Sequence, residues 1–199
     1  MHKRSYGPAA RNLPTDQGMD YQTIDSHPIL QPRRSTSGQG MMTMVKGGTE
    51  LLQDPVAQEL LTSRIPARLA YNWTDGTPRV VSIWFHWDGT DIVMASLPAA
   101  PKLKALHSGD RVAITIDTND PPNHILSIRG TAEVTETQGV VKEYAQAALR
   151  YLGKERGEAY VGSLPTDIRM GRIAVRPDQV VVLDFETRFP SPVASLRGA

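Results

Sequence analysis

The sequence predicts a mainly β fold with a few helices, in which short strands close into a barrel. About six or seven segments are rich in β-branched or alternating apolar residues, as half-buried strands are. Asp-Gly turns separate the first of these segments, and such turns are typical of β-hairpins. Only a few segments have helical periodicity, so the near-regular spacing of the strands favours a closed barrel over an open sandwich.

Turn and cap residues justify the individual elements. Asp54-Pro55 is typical of a helix start, because aspartate caps free backbone amides and proline fits the first turn. Asp75-Gly76 predicts a hairpin, and Pro177-Asp178 predicts another. In chain order we predict a helix after Asp54, strands at 67–73, 79–87 and 91–97, a helical turn at 102–107, strands at 111–117 and 124–134, a helix over 140–152 that ends at Gly153, a loop at 155–170, and a last hairpin formed by 172–176 and 179–186.

Composition divides the chain into a folded domain and two flanking segments. Residues 1–46 have scattered Pro, Gly, Ser and Gln with no periodicity, which predicts a disordered N-terminal tail. Residues 47–190 form the predicted domain, and 191–199 a flexible C-terminus. The chain has no cysteine and a formal net charge of +1, so disulfide frameworks and cysteine–metal sites are excluded and neither a nucleic-acid nor a membrane partner is expected. A cytoplasmic location is expected.

Several common chemistries are absent from the sequence. There is no Gly-x-Ser-x-Gly elbow, no Walker loop and no Gly-x-Gly-x-x-Gly turn. His86, His107 and His124 lie in three different predicted elements, without metal-ligand spacing. We therefore predict neither a hydrolytic triad nor a metal site.

The segment from Gly76 to Leu106 has the residues best suited to a ligand. Trp84 is a flat group that can stack on an aromatic ring, and the small Ser82 lies two residues before it. Lys102 and Lys104 open a helical turn after the strand end Ala95-Ser96, where free amides and ammonium groups would together hold a phosphate. Each feature also has a structural interpretation, with Trp84 filling the core and both lysines on a solvated helix face.

The order of these motifs resembles the pyridoxamine 5′-phosphate oxidase-like family of split β-barrel flavoproteins, and within it the branch of flavin/deazaflavin oxidoreductases that bind coenzyme F-420 or FMN. The resemblance covers roughly residues 55–185. It rests on the motifs Asp75-Gly76-Thr77-Pro78, Trp84-Phe85, Trp87-Asp88-Gly89, Ala95-Ser96, Lys102 to Leu106, Gly130 to Glu133, Arg150 to Gly153, and Ile173 to Phe185.

The resemblance implies a split β-barrel that acts as a homodimer, with FMN or coenzyme F-420 (8-hydroxy-5-deazaflavin) at the subunit interface and a small-molecule substrate. It implies that Ser82, Ile83 and Trp84 line the ring system, Ala95 and Ser96 the ribityl chain, and Lys102 with Lys104 the phosphate. Phe185 would approach from the partner subunit. The cofactor ring would exchange hydride with the substrate, and no side chain is expected as an obligatory acid or base.

The sequence also departs from the family's patterns. Pyridoxamine 5′-phosphate oxidases proper have an arginine and a lysine where the matched strand has Val81 and His86, which argues against that activity. The deazaflavin branch often has proline at the position of Ser82 and asparagine at that of Ala105. Two alternatives remain beside the oxidoreductase: a barrel without turnover that is cofactor-free or binds haem or another small molecule, and a pyridoxamine 5′-phosphate oxidase proper.

Overall fold

The computed structural model describes residues 46–188, so the predicted tail and C-terminus lie almost wholly outside the described residues. Its strands are β1 (Lys46–Gly47), β2 (Ala67–Asn72), β3 (Pro78–Ile83), β4 (His86–Trp87), β5 (Ile92–Ser96), β6 (Arg111–Asp117), β7 (His124–Gln138) and β8 (Arg169–Asp184). A 3-10 helix covers Thr49–Gln53, and the α-helices are α1 (Pro55–Thr62), α2 (Lys102–Ala105), α3 (Lys142–Leu152) and α4 (Lys154–Gly162). The expected mainly β class with a few helices is confirmed.

The strands form one antiparallel sheet that curls without closing. Its hydrogen-bonded order is β3-β2-β6-β7-β8-β5-β4, and the short β1 pairs with β8. The edge strands β3 and β4 follow one another in the chain, separated only by Trp84 and Phe85. Three Cα–Cα steps span at most about 11 Å, so the end of β3 at Ile83 and the start of β4 at His86 lie close together although no backbone ladder joins the two strands. The closed barrel predicted from strand spacing is therefore wrong, and the architecture is a barrel split between β3 and β4.

The predicted hairpin at Pro177-Asp178 is replaced by one continuous strand, β8. Along its length β8 pairs with β7, and the register shifts where Arg129 faces Gln179 and Gly130 faces Pro177. Asp178 is the extra residue of this β-bulge, which tolerates a proline because it interrupts the ladder. A Cβ at Gly130 would overlap the carbonyl oxygen of Arg176, so glycine is needed at this close approach.

The helices begin and end close to the predicted positions, with one exception. Asp54 caps α1 by accepting a hydrogen bond from the Val56 amide at 2.9 Å. Gly153, at φ 86°, separates α3 from α4. The predicted loop at 155–170 contains α4, which crosses α3 so closely that a Cβ at Gly157 would lie 2.7 Å from the Cα of Leu149.

The main core lies between α1 and the inner face of the sheet. Leu61, Leu69, Ile114, Ile128 and Val180 are completely buried in it. A second, smaller cluster of Ala95, Val141 and Met170 lies under α3. No helix within residues 46–188 is long and apolar enough to cross a membrane.

Candidate functional site

The two residues between β3 and β4 are held in place by α3. Phe85 is completely buried, and its carbonyl oxygen accepts a hydrogen bond from the Arg150 guanidinium at 2.5 Å. Arg150 also donates to the carbonyl oxygen of Leu61 at 2.8 Å and lies over the Phe85 ring, 4.5 Å from its centroid. The arginine thus connects α3 to α1 and to the segment between β3 and β4, which contains Trp84.

Trp84 belongs to an aromatic cluster formed by Trp84, Tyr144, Tyr151 and Tyr160. Its indole stacks on Tyr151 with ring centroids 5.0 Å apart and planes 6° apart. The centroids of Tyr144 and Tyr160 lie 6.4 and 6.2 Å from it. The Tyr151 hydroxyl donates to the carbonyl oxygen of Ile65 at 3.1 Å, which fixes the ring. One face of Trp84 is therefore covered by a protein side chain.

Two tyrosine hydroxyls of this cluster are joined to each other. The oxygens of Tyr144 and Tyr160 are 2.7 Å apart, so one hydroxyl donates and the other accepts. Burial raises the pKa of Tyr144, and the hydrogen bond with Tyr160 raises it further, so the hydroxyl is protonated at neutral pH. The two hydroxyls have two protons, and only one of these protons forms the hydrogen bond between the two oxygens. The second proton remains for another acceptor.

A cavity of about 390 Å³ adjoins the pair, and we call it the aromatic cavity. The end of β5 supplies Ala95 and Ser96 to its wall, and Leu97 follows them. The remaining lining residues are Ala99, Ala100, Tyr144, Tyr160, Leu164, Ile168 and Met170. The structure therefore brings the predicted ribityl-binding residues beside the aromatic cluster that contains Trp84.

An ion pair joins α3 to β8 at the strand partner of the lining residue Ala95. Arg172 of β8, the partner of Ala95 in the sheet, donates to the Glu143 carboxylate at 2.9 Å. Glu143 is only 4% exposed. Burial alone would raise the pKa of Glu143, but hydrogen bonds led by Arg172 outweigh it and the net shift is downward. Both groups are charged and paired.

The two lysines of α2 differ in their surroundings. Lys102 is half-buried, and Lys104 is exposed. Within residues 46–188 the Lys102 ammonium has no hydrogen bond or ion pair, and burial lowers its pKa. Residues two apart on a helix point in different directions, so the two ammonium groups do not converge on one point. Lys102 adjoins the loop of Ala99 and Ala100 that lines the aromatic cavity.

The other predicted residues are spread more widely. Ser82 is exposed, on the sheet face opposite the core, and its strand partner is Arg68. Ile83 packs at the edge of the main core. Phe185 follows the far end of β8, thirteen residues beyond Arg172, so within one chain it is remote from Ala95.

Of the aromatic cavity, sequence reasoning predicted Ala95 and Ser96 and missed the other lining residues, including both tyrosines. Tyr144 was assigned only to an apolar helix stripe, and Tyr160 to a loop. The spacing of Tyr144 and Tyr151 by two helical turns could have indicated a shared aromatic face. Nothing in the sequence places Tyr160 beside them, because that contact depends on the crossing of α3 and α4. Among the described residues no cluster of His, Asp and Glu could hold a metal ion.

Three solved structures are similar to this chain, and the second of them shares its fold. An F420 reductase matches with 25% identity and a TM-score of 0.46, over 60% of this chain and 91% of that one. A conserved hypothetical protein from Mycobacterium tuberculosis has 16% identity and a TM-score of 0.54, over 70% and 89%. A putative pyridoxamine 5′-phosphate oxidase from Listeria innocua has 19% identity and a TM-score of 0.49, over 66% and 98%.

No curated protein matches the sequence significantly. A family model, in contrast, covers most of the chain: the model described as pyridoxamine 5′-phosphate oxidase matches residues 53–185. That range includes every strand from β2 to β8, the Ala95-Ser96 strand end and both lysines of α2. The chain therefore belongs to the pyridoxamine 5′-phosphate oxidase family.

Proposed function

We propose that this protein is a flavin- or deazaflavin-dependent oxidoreductase that moves hydride between FMN or coenzyme F-420 and a small organic substrate. The observation that supports it most is Lys102, a half-buried ammonium with no hydrogen bond or ion pair among the described residues, which follows the cavity-lining loop of Ala99 and Ala100 in a chain of this family. The cavity would take the substrate, and the lysine the phosphate of the cofactor.

The residues present fit such a cofactor at its phosphate end. A half-buried ammonium without a carboxylate partner is stabilised by a bound anion, because the anion offsets the desolvation that lowers the pKa of Lys102. The hydroxyl of Ser96 and the small side chain of Ala95 leave room for a polyol chain along the end of β5. When bound, FMN or F-420 supplies the hydride chemistry, and the protein supplies position and electrostatics.

The side chains around the cavity orient the reactants and exclude water. Trp84, fixed by its stack on Tyr151, packs against Tyr144 and Tyr160 and so supports the ring wall of the cavity, and the tyrosine pair provides a protonated donor. Burial and the nearby Arg150 lower the pKa of His86, so this imidazole is neutral at pH 7. We expect Trp84→Ala to reduce turnover more than His86→Ala does, since position rather than proton transfer limits the reaction.

We propose further that two chains associate through the exposed sheet face on which Ser82 lies. Its central residues are small, among them Ala70 and Ala113, which are paired with one another across β2 and β6. Val80, beside them on β3, is 63% exposed. Packing this face on a second copy would cover the valine. Sedimentation of the full chain at micromolar concentration is expected to show a dimer, and a monomer with cofactor bound would contradict this.

The cofactor proposal is tested by titrating FMN and F-420 into the full chain and two lysine variants. Lys102→Ala is expected to weaken binding by about 1.5–3 kcal/mol, the range for a hydrogen bond to a charged group. Lys104→Ala, which removes the same charge from an exposed position two residues away, is the control and should cost under about 0.5 kcal/mol. Equal small losses for both variants would place the phosphate elsewhere.

A further inference from the structure

The aromatic cavity differs from a typical phosphate-ester site in its electrostatics. Its described lining contains no charged side chain. Arg172, the strand partner of the lining residue Ala95, is already paired with the buried Glu143. Lys102 adjoins the loop of Ala99 and Ala100 but is not part of the lining, so an anion enclosed among the lining residues would lose its hydration without a counter-charge in contact with it, which is unfavourable. The cavity is therefore suited to an uncharged molecule.

The shape and the apolar lining indicate an aromatic or similarly flat compound. Leu164, Ile168 and Met170 form one side of the cavity, and the rings of Tyr144 and Tyr160 form another. A volume of about 390 Å³ accommodates a molecule of two fused rings with a substituent.

The tyrosine pair adds one specific polar contact. Because Tyr144 and Tyr160 share one hydrogen bond at 2.7 Å, one of their two protons is left without an acceptor in that bond. A ligand that offers a carbonyl oxygen completes the hydrogen bonding of the pair, whereas a pure hydrocarbon does not.

We infer that the aromatic cavity binds an uncharged aromatic carbonyl compound, whose oxygen accepts a hydrogen bond from the Tyr144–Tyr160 pair. The role of this ligand as the substrate rests on the proposed function, but its binding does not. Charged substrates such as phosphate esters are excluded from the cavity on the same grounds.

Three naphthalene probes test this by equilibrium dialysis against the full chain without added cofactor. 2-Acetonaphthone has the carbonyl, 2-isopropylnaphthalene has the same shape without it, and 2-naphthoate has a charge. We expect 2-acetonaphthone to bind at least about tenfold more tightly than 2-naphthoate. Equal or tighter binding of 2-naphthoate, or no binding of the ketone, would overturn the inference, and this comparison needs no variant.

The hydroxyl pair is tested with the double variant Tyr144→Phe/Tyr160→Phe. We expect the Kd of the ketone to rise about 3- to 10-fold while that of the hydrocarbon changes less than about twofold, because only the hydrogen bond is lost. Tyr151→Phe is the matched control, since its hydroxyl bonds Ile65 outside the cavity, and it should leave the ratio of the two Kd values unchanged.

An equal change for both probes in the double variant would overturn the role of the pair. The FMN and F-420 titrations are read separately. Ketone binding without cofactor binding would contradict the proposed function alone, and cofactor binding with tight naphthoate binding would contradict this inference alone.

Discussion

The two hydrophobic regions of this molecule are built in different ways. The main core joins α1 to the inner face of the sheet, and many of its side chains, such as Leu69 and Ile114, are completely buried. The smaller cluster under α3 has, among the described residues, three buried members, Ala95, Val141 and Met170, and it borders a cavity of about 390 Å³. The main core has many completely buried side chains, and the smaller cluster has, in the described part of the chain, three buried ones beside an open cavity.

This difference separates stability from binding. A close-packed core is destabilised whenever a side chain is shortened, because the surrounding atoms relax only partly into the space that is left. Beside an open cavity the same change removes fewer contacts. The main core thus contributes most of the free energy of unfolding, and the cavity beside the smaller cluster is available for a ligand.

The largest expected effect contrasts one isoleucine from each region. Ile128→Ala in the main core should lower the free energy of unfolding by about 2–5 kcal/mol, since Ile128 is completely buried. Ile168→Ala, at the wall of the cavity, should cost clearly less, under about 1.5 kcal/mol. Urea denaturation of both variants provides the measurement. Equal losses would show that the cavity region is as tightly packed as the core.

The next largest effect is expected at Arg150, which connects α3 to α1 and to the segment between β3 and β4. Arg150→Ala leaves the carbonyl oxygens of Leu61 and Phe85 without their guanidinium donor, and should cost about 1.5–3 kcal/mol. Arg156, exposed on α4, has the same charge, so Arg156→Ala is the control and should change the free energy of unfolding by under about 0.5 kcal/mol. If Arg150→Ala left the free energy of unfolding unchanged, the hydrogen bonds from α3 would not be needed to stabilise the segment between β3 and β4.

Two glycines give a third contrast. Gly130→Ala forces a Cβ against the backbone of β8 at the bulge, and should destabilise the fold by about 1–3 kcal/mol. Gly162→Ala, at the end of α4, meets nothing within 4 Å and should be neutral or slightly stabilising. Thermal unfolding compares them directly. A tolerated Gly130→Ala would contradict the close approach of β7 and β8.

The smallest expected effect is a decrease in the free energy of unfolding at acidic pH. The net pKa of Glu143 is lowered, because the hydrogen bonds led by Arg172 outweigh the opposing effect of burial. A carboxyl whose pKa is lower in the folded than in the unfolded chain stabilises the fold above its unfolded pKa of about 4.3, and this contribution is lost as pH falls below it.

The free energy of unfolding should therefore decrease from pH 6 towards pH 3, and less steeply in Glu143→Gln than in the parent chain. The exposed Glu158 serves as the control: Glu158→Gln should keep the parent slope. If Glu143→Gln kept the parent slope as well, the buried pair with Arg172 would not contribute to the acid dependence.

Local sequence patterns predicted most of the elements. The strand Arg111–Asp117 and the helix end at Gly153 lie where the sequence placed them, because β-branched runs and a glycine with positive φ are local requirements. The cap of α1 by Asp54 is likewise local. The family resemblance, which rested on motifs in order, was confirmed by the match over residues 53–185.

The errors arose where distant parts of the chain meet. Pro177-Asp178 has the composition of a turn, but pairing with β7 makes it a bulge opposite Gly130. Gly157 argues against a helix locally, yet it is the residue that lets α4 approach α3. The aromatic cavity depends on that same crossing, so Tyr160 could not be predicted. The roles of Ser82, Lys102 and Phe185 remain predictions, since they depend on a cofactor and a second chain.

The most direct test of the central claim is the visible absorption spectrum of the full chain after incubation with FMN, F-420 and haem in separate samples, followed by removal of unbound ligand. The account predicts that FMN or F-420 is retained with its characteristic absorption, and that Lys102→Ala retains less of it than Lys104→Ala. A spectrum with only the Soret band of haem, or with no retained cofactor in any sample, would contradict the proposed oxidoreductase.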